Sequence, residues 1–132
     1  MSQITLRQIT YSEEAGGGAT PLPVSATVVV HVRPGCEDEF LRLLHPLLDA
    51  MRHEPTFINA TLHRDPDDPT RFMIYETWAD QRDLIEVQLQ RDYRKAYLDR
   101  LPAILCEERQ ITVWRPMRSD FALPTGEARE RR

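Results

Sequence analysis

Apolar side chains change their period along the chain, and the changes mark out elements. Ala26-Thr27-Val28-Val29-Val30-His31-Val32 is a β-branched run, the composition of a strand. Pro34-Gly35 turns the chain. Glu37, Asp38 and Glu39 then put acid where the first turn of a helix favours it. Phe40, Leu43, Leu44, Leu47, Leu48 and Met51 recur at helical spacing and predict one buried stripe. Pro46 inside that stripe predicts a kink, and Pro55 predicts its end. Phe57 to His63 and Arg71 to Trp78 read as two strands around the turn formers Asp65-Pro66-Asp67-Asp68-Pro69. Asp80 can cap a helix whose apolar side is Leu84, Val87 and Leu89. Tyr93, Ala96, Tyr97, Leu101 and Ile104 continue with a second helical stretch, with Pro102 near its end, and Gln110 to Arg115 closes as a fourth strand.

The order is β-α-β-β-α-β, an α+β chain with a ferredoxin-like antiparallel sheet. Residues 1–24 read as an arm and linker: a short alternation over Ile4, Leu6 and Gln8, then Gly16-Gly17-Gly18, then Pro21 and Pro23. Residues 25–116 form the domain and 117–132 a polar tail. Val28-Val29-Val30, Phe72-Met73-Ile74-Tyr75 and Ile111-Val113-Trp114 are apolar at consecutive positions rather than alternate ones. Helices cover only one face of such a sheet. A second protomer is expected on the other, which makes the protein a homodimer.

Composition adds exclusions. The 132 residues suit one domain, and 41% hydrophobic with 29% charged is a globular balance. A net charge of −4 offers nucleic acid no basic footprint. No apolar run is long enough for a membrane helix, and no leader pattern opens the chain, so a cytoplasmic protein is expected. Cys36 and Cys106 form no C-x-x-C pair and read as free thiols.

Leu62-His63-Arg64-Asp65-Pro66-Asp67-Asp68-Pro69, then Arg71-Phe72, then Tyr75-Glu76-Thr77-Trp78, resembles the signature of the antibiotic-biosynthesis-monooxygenase family. Arg33-Pro34-Gly35 before an acidic helix start is similar to the family's first strand–helix junction, and the resemblance covers about residues 26–115. It implies a dimeric α+β barrel with a pocket between the sheet and helices of each protomer. Quinol monooxygenases, anthrone oxygenases, haem-degrading enzymes and small-molecule isomerases share that fold, so fold alone underdetermines activity. The haem-degrading members use a first-strand Asn, a Trp ending the third strand and a His ten residues later. Here Trp78 is kept, the first position falls near Val28, and the His position is Gln88. The anthrone oxygenases align at Trp78 and His63, while their Asn four residues before the Trp is Ile74 here.

Each candidate residue has two readings. Trp78 is either core or a wall that stacks on a flat ligand. His63 is either a surface imidazole held by Asp65 or Arg64, or a general base. Asn59 shares the strand face of His63 and is either a surface amide or an oxyanion donor. Glu76 shares a face with Phe72, Ile74 and Trp78, and is either paired with an arginine or a second candidate base. Tyr75, Tyr93 and Tyr97 pack or present hydroxyls to a substrate, and Gln88 lines the family pocket by position. His45, Asp49 and His53 mimic a metal spacing, yet eight helical residues span about 12 Å, against metal–ligand bonds of about 2 Å, so no metal is expected. No nucleotide-binding motif is present.

This inventory fits a monooxygenase that needs no metal or flavin. An electron-rich hydroquinone or polycyclic aromatic, once deprotonated, reduces O2 itself while the protein holds the ring, takes the proton and excludes water. His63 and Glu76 are the candidate bases. Trp78, Asn59, Tyr75, Gln88 and Tyr93 are the candidate substrate contacts. A non-catalytic binding dimer is the alternative, and an isomerase or lyase acting on a small keto or sugar-like compound is another; an arginine-lined pocket would point to the latter.

Overall fold

The computed structural model describes residues 20–124. The alternation expected around Ile4–Ile9 and the charged end beyond Pro124 lie outside those residues. Strand β1 (Val24–His31) leads to helix α1 (Glu37–Met51). Strands β2 (Phe57–Asp65) and β3 (Asp68–Trp78) form a hairpin. Helix α2 (Gln81–Glu86), two single 3₁₀ turns (Gln88–Gln90 and Asp92–Arg94) and helix α3 (Lys95–Ile104) follow, then β4 (Gln110–Trp114). The sheet order is β2-β3-β1-β4, every neighbour antiparallel. This is the β-α-β-β-α-β ferredoxin-like arrangement that the pattern predicts, with its second helix broken into pieces.

Local chemistry explains the boundaries. Gly35 holds φ at 91° in the turn before α1, a conformation that a Cβ penalises. The Asp80 side chain accepts from the Asp83 N–H and starts α2. The hairpin turn is tighter than expected: Pro66 and Asp67 alone separate the strands, with the Asp67 N–H bonded to Asp65 Oδ1 at 2.8 Å. Helix α1 runs unbroken through Pro46, which faces solvent. It stops at Met51, with Arg52 as its C-cap, so Pro55 does not end it. Two short turns interrupt the second helical region because Arg91 is extended, at φ −64° and ψ 138°.

The core lies between one face of the sheet and the helices. Val24, Val28 and Val30 of β1, Phe72, Ile74 and Trp78 of β3, and Ile111 of β4 meet Phe40, Leu44, Leu47 and Met51 of α1 and Tyr97, Leu101 and Ile104 of α3. The Phe40 and Phe72 rings sit 4.9 Å apart and couple α1 to β3. Each fully buried side chain of this kind contributes about 1.5–3 kcal/mol by leaving water.

The opposite face is not apolar throughout, which corrects the expectation of two greasy sides. The register lines up Ser25, Thr27, Val29 and His31 with Thr77, Tyr75, Met73 and Arg71. Asn59, Thr61 and His63 face the same way from β2, and Gln110, Thr112 and Trp114 from β4. Consecutive apolar residues put only Val29, Met73, Tyr75 and Trp114 on that side, among hydroxyls and charges. Tyr75 and Trp114 are exposed there, at 37% and 59%.

Candidate functional site

Strand parity divides the candidate residues between two places. Cross-strand partners in an antiparallel sheet point to the same side. Glu76 and Trp78 therefore lie on the helix side, in register with Ala26 and Val24. His63, Asn59 and Tyr75 lie on the open side. The two candidate bases, His63 and Glu76, thus lie on opposite sides of the sheet, and Trp78 shares the side of Glu76.

On the helix side, Trp78 is fully buried and meets Phe57 edge to face at 5.3 Å. Its indole Nε1–H donates to Glu76 Oε1 at 2.7 Å. A buried indole N–H needs an acceptor, and the half-buried carboxylate two residues back on the same face supplies it. No ion pair involves Glu76 among the described residues, so the arginine partner weighed for it is absent there. Tyr97 is buried beside this group, and burial pushes its hydroxyl up. The Arg109 guanidinium lies 5.9 Å from the Tyr97 ring centre and opposes that rise, whereas the Glu76 charge adds to it.

A second polar group closes the same side at the 3₁₀ turns. The Glu54 carboxylate accepts from Tyr93 Oη at 2.8 Å, from Arg91 Nε and Nη2 at 3.0 Å each, and from Gln88 Nε2 at 3.2 Å. Gln88 Nε2 also donates to Asp83 Oδ2 at 3.0 Å, and Thr56 Oγ1 donates to the same oxygen at 2.7 Å. Burial raises the Glu54 pKa, but the bonds from Tyr93, Arg91 and Gln88 outweigh it, so the carboxyl lies below its usual value. The Tyr93 hydroxyl is pushed up to about 12, first by burial and then by its bond to Glu54. Beside this group is an open hollow of about 640 Å³, lined by Glu86, Val87, Gln90, Arg91, Asp92 and Tyr93.

On the open side, Ser25 Oγ lies 3.0 Å from Thr77 Oγ1 and 3.5 Å from Tyr75 Oη. Hydrogen bonding from the Ser25 hydroxyl, and then from Thr77, holds the Tyr75 hydroxyl below its ordinary value. Asn59 Oδ1 is buried with no hydrogen-bond partner among the described residues. His63 is exposed opposite Met73. Asp65 pairs with Arg71 at 3.2 Å, and Arg64 stacks on Phe72 at 4.9 Å, so neither neighbour in sequence is committed to His63. His45, Asp49 and His53 are exposed on or just after α1. Among the described residues no three His, Cys, Asp or Glu side chains form a group fit for a metal ion.

Glu54, Asp83, Arg91, Arg94 and Arg109 carry much of the helix-side chemistry and were not singled out from the sequence. Their roles depend on contacts between segments tens of residues apart, which no local period reports. Only Asp83, three residues after the capping Asp80, sits where a helix-start motif would draw the eye.

Known proteins place this arrangement in context. A family model described as antibiotic biosynthesis monooxygenase matches residues 23–100. "Putative monooxygenase GME11364" of Pestalotiopsis microspora is 31% identical over 101 residues, which span 75% of this chain and 84% of that protein. The crystal structure of PA3566 from Pseudomonas aeruginosa matches with a TM-score of 0.68 at 22% identity, over 76% of this chain and 100% of that one. Rv0793 from Mycobacterium tuberculosis matches with a TM-score of 0.67 at 18% identity, over 74% of this chain and 97% of that one.

Proposed function

Because the chain belongs to the antibiotic biosynthesis monooxygenase family, we propose that it is a cytoplasmic, homodimeric monooxygenase that oxidises a quinol-like or polycyclic aromatic substrate with O2 and no cofactor. The observation that carries this reading is the Trp78–Glu76 pair on the helix side of the sheet. Trp78 fixes one carboxylate oxygen of Glu76 and leaves the other free to take a proton from substrate. For a ring methylene between aryl groups, loss of that proton gives an anion that passes one electron to O2. Recombination forms a hydroperoxide, and loss of water leaves the ring carbonyl. One oxygen atom of O2 thus enters the product and the other departs as water. The chain's part is to hold the ring, accept the proton and keep water from the anion.

His63 acts in this scheme only across the sheet, where a second protomer would cover the open face. It is therefore assigned to the dimer side, with Asn59 and Tyr75. Oxygen uptake with reduced quinones and anthrones tests the reading. Glu76→Gln should lower kcat by about 100-fold or more, the usual contribution of a positioned base. His63→Ala should change it little. Unchanged uptake in a folded Glu76→Gln variant would remove the proposed base. The full burial of Trp78 also favours a second reading, a binding dimer without turnover. Saturable ligand binding with no oxygen uptake by the unmodified protein would select it.

A further inference from the structure

Three large apolar side chains near the end of the described chain are left in water. Met117, Phe121 and Leu123 are 95%, 78% and 76% exposed, more than any other large apolar residue among those described. Residues 115–124 follow β4 without helix, strand or turn. The sequence suggests a polar tail here, yet the pattern is that of a half-buried strand. Odd positions 117, 121 and 123 are apolar, and alternate residues of an extended chain share a side. Arg118 and Asp120, of the other parity, pair at 3.0 Å, the contact of neighbours on one side of such a chain. Arg115 fixes the root of the segment: its guanidinium donates to the Pro23 carbonyl, and to Gln81 Oε1 at 2.8 Å.

An amphipathic strand without a sheet needs a free strand edge and an apolar surface to lie on. The order β2-β3-β1-β4 leaves the outer edges of β2 and β4 without a neighbour among the described residues. Strand β2 is the longer, at nine residues against five. It also carries the exposed Ile58 and the buried Asn59 Oδ1, which has no donor among the described residues. The chain's own β2 lies three strand spacings from β4, about 14 Å, and the exposed segment does not fold back to it. We propose that Met117–Leu123 crosses to a second copy of this chain and adds as a strand to the outer edge of that copy's β2, in a reciprocal exchange. As a strand the segment spans about 23 Å, within the length of β2. Area argues for a second copy. The open face is mostly polar, whereas homodimer interfaces are about 65% apolar. Trp114 and the three arm residues offer roughly 600 Å² of side chain, most of the roughly 800 Å² that each partner of a stable complex buries. Trp114 lies on the open face beside Ser25, and the arm leaves directly after it, so face and arm form one continuous surface. The inference rests on the homodimer reading above and adds the contact that completes it.

The probe is the photocrosslinker p-benzoylphenylalanine in place of Phe121 in the full chain, irradiated as purified protein. A mixture of isotope-labelled and unlabelled chains separates adducts between copies from adducts within one. Mass spectrometry should find adducts between copies, at Phe57–Asp65. A second variant, Met117→Asp with Phe121→Asp and Leu123→Asp, keeps the domain core intact and should stay folded by circular dichroism. Its dimer dissociation constant by sedimentation should rise about 100-fold or more, since each arm loses three buried apolar side chains. Adducts within one chain, adducts between copies outside β2, no adduct in the purified protein, or a dissociation constant changed by less than about threefold would each overturn the arm. An unmodified protein that sediments as a monomer defeats the homodimer reading and the arm with it, whereas a dimer indifferent to all three changes defeats the arm alone.

Discussion

Glu54→Gln tests whether the network at the 3₁₀ turns holds the second helical region in place. The carboxylate accepts four bonds, two of them from one guanidinium. A glutamine keeps one acceptor oxygen and replaces the other with a donor. Tyr93 can turn its hydroxyl to accept from the new amide, but an Arg91 N–H cannot. The loss is then about one charge-assisted bond, about 1.5–3 kcal/mol when buried. Arg91 is 42% exposed, so its pairing is discounted toward the roughly 1 kcal/mol of a surface bridge. Together with the weakened bonds from Gln88 and Tyr93, the sum is about 2–3 kcal/mol, or a fall in Tm of about 8–12 °C for a domain of this size.

The dependence on pH gives the sharper check. The folded-state pKa of Glu54 is lowered from 4.5, so its contribution is complete above that value and is lost as pH falls through the folded value. Urea unfolding of both proteins should therefore show the full gap at neutral pH and a shrinking gap below about 4.5. A gap under about 0.5 kcal/mol at neutral pH, or one that stays constant into acid, would refute the reasoning.

The Tyr93 hydroxyl, raised from 10.0 to about 12, holds its proton more tightly folded than unfolded. Its stabilising share is full below 10.0 and lost as pH rises through 12; ultraviolet titration should show its tyrosinate only at that alkaline end, and earlier in Glu54→Gln. Gly35→Ala meets no atom within 4 Å but must hold φ at 91°, so it should cost about 1–2 kcal/mol from strain alone; a neutral urea midpoint contradicts this. Trp78→Phe removes the donor to Glu76 and leaves a void beside Phe57. It should cost about 2–3 kcal/mol by calorimetry, and a cost below 1 kcal/mol would show that the indole is not anchored there. Met73→Asp with Tyr75→Lys places charge on the open face; sedimentation should show a folded monomer, and a persistent dimer would move the subunit contact elsewhere.

The elements were legible in the sequence because each carries its own period. The β-branched run over Ala26–Val32 gave β1, the Phe40–Met51 stripe gave α1, and Asp80 announced α2. The joints were less legible. Pro46 suggests a kink but lies on the solvent side of α1, where its missing N–H leaves no buried carbonyl exposed to the core. The apolar runs of β1 and β3 looked double-sided because Val29, Met73 and Tyr75 interrupt what is otherwise a polar face. Site residues suffered most. His63 and Trp78 stand near each other in the signature, yet the odd–even parity of paired strands sends them to opposite sides of the sheet. Parity was readable for Glu76 with Trp78 and for Asn59 with His63; it was not applied between strands, because that requires the register.

The same geometry bears on Gln88, which stands where the family resemblance implies a ligating histidine in haem-degrading members. Gln88 Nε2 supplies N–H bonds to two carboxylates at once, at 3.0 and 3.2 Å. A neutral imidazole has one N–H and one lone pair. Were it to serve a carboxylate with the first and iron with the second, the other carboxylate would lose its donor inside the network that also holds Arg91 and Tyr93. An imidazolium could serve both carboxylates, but it has no lone pair left for a metal. Glutamine resolves the conflict: a single amide nitrogen satisfies both acids. Gln88 is therefore a hydrogen-bonding link between Glu54 after α1, Asp83 of α2 and the 3₁₀ turns.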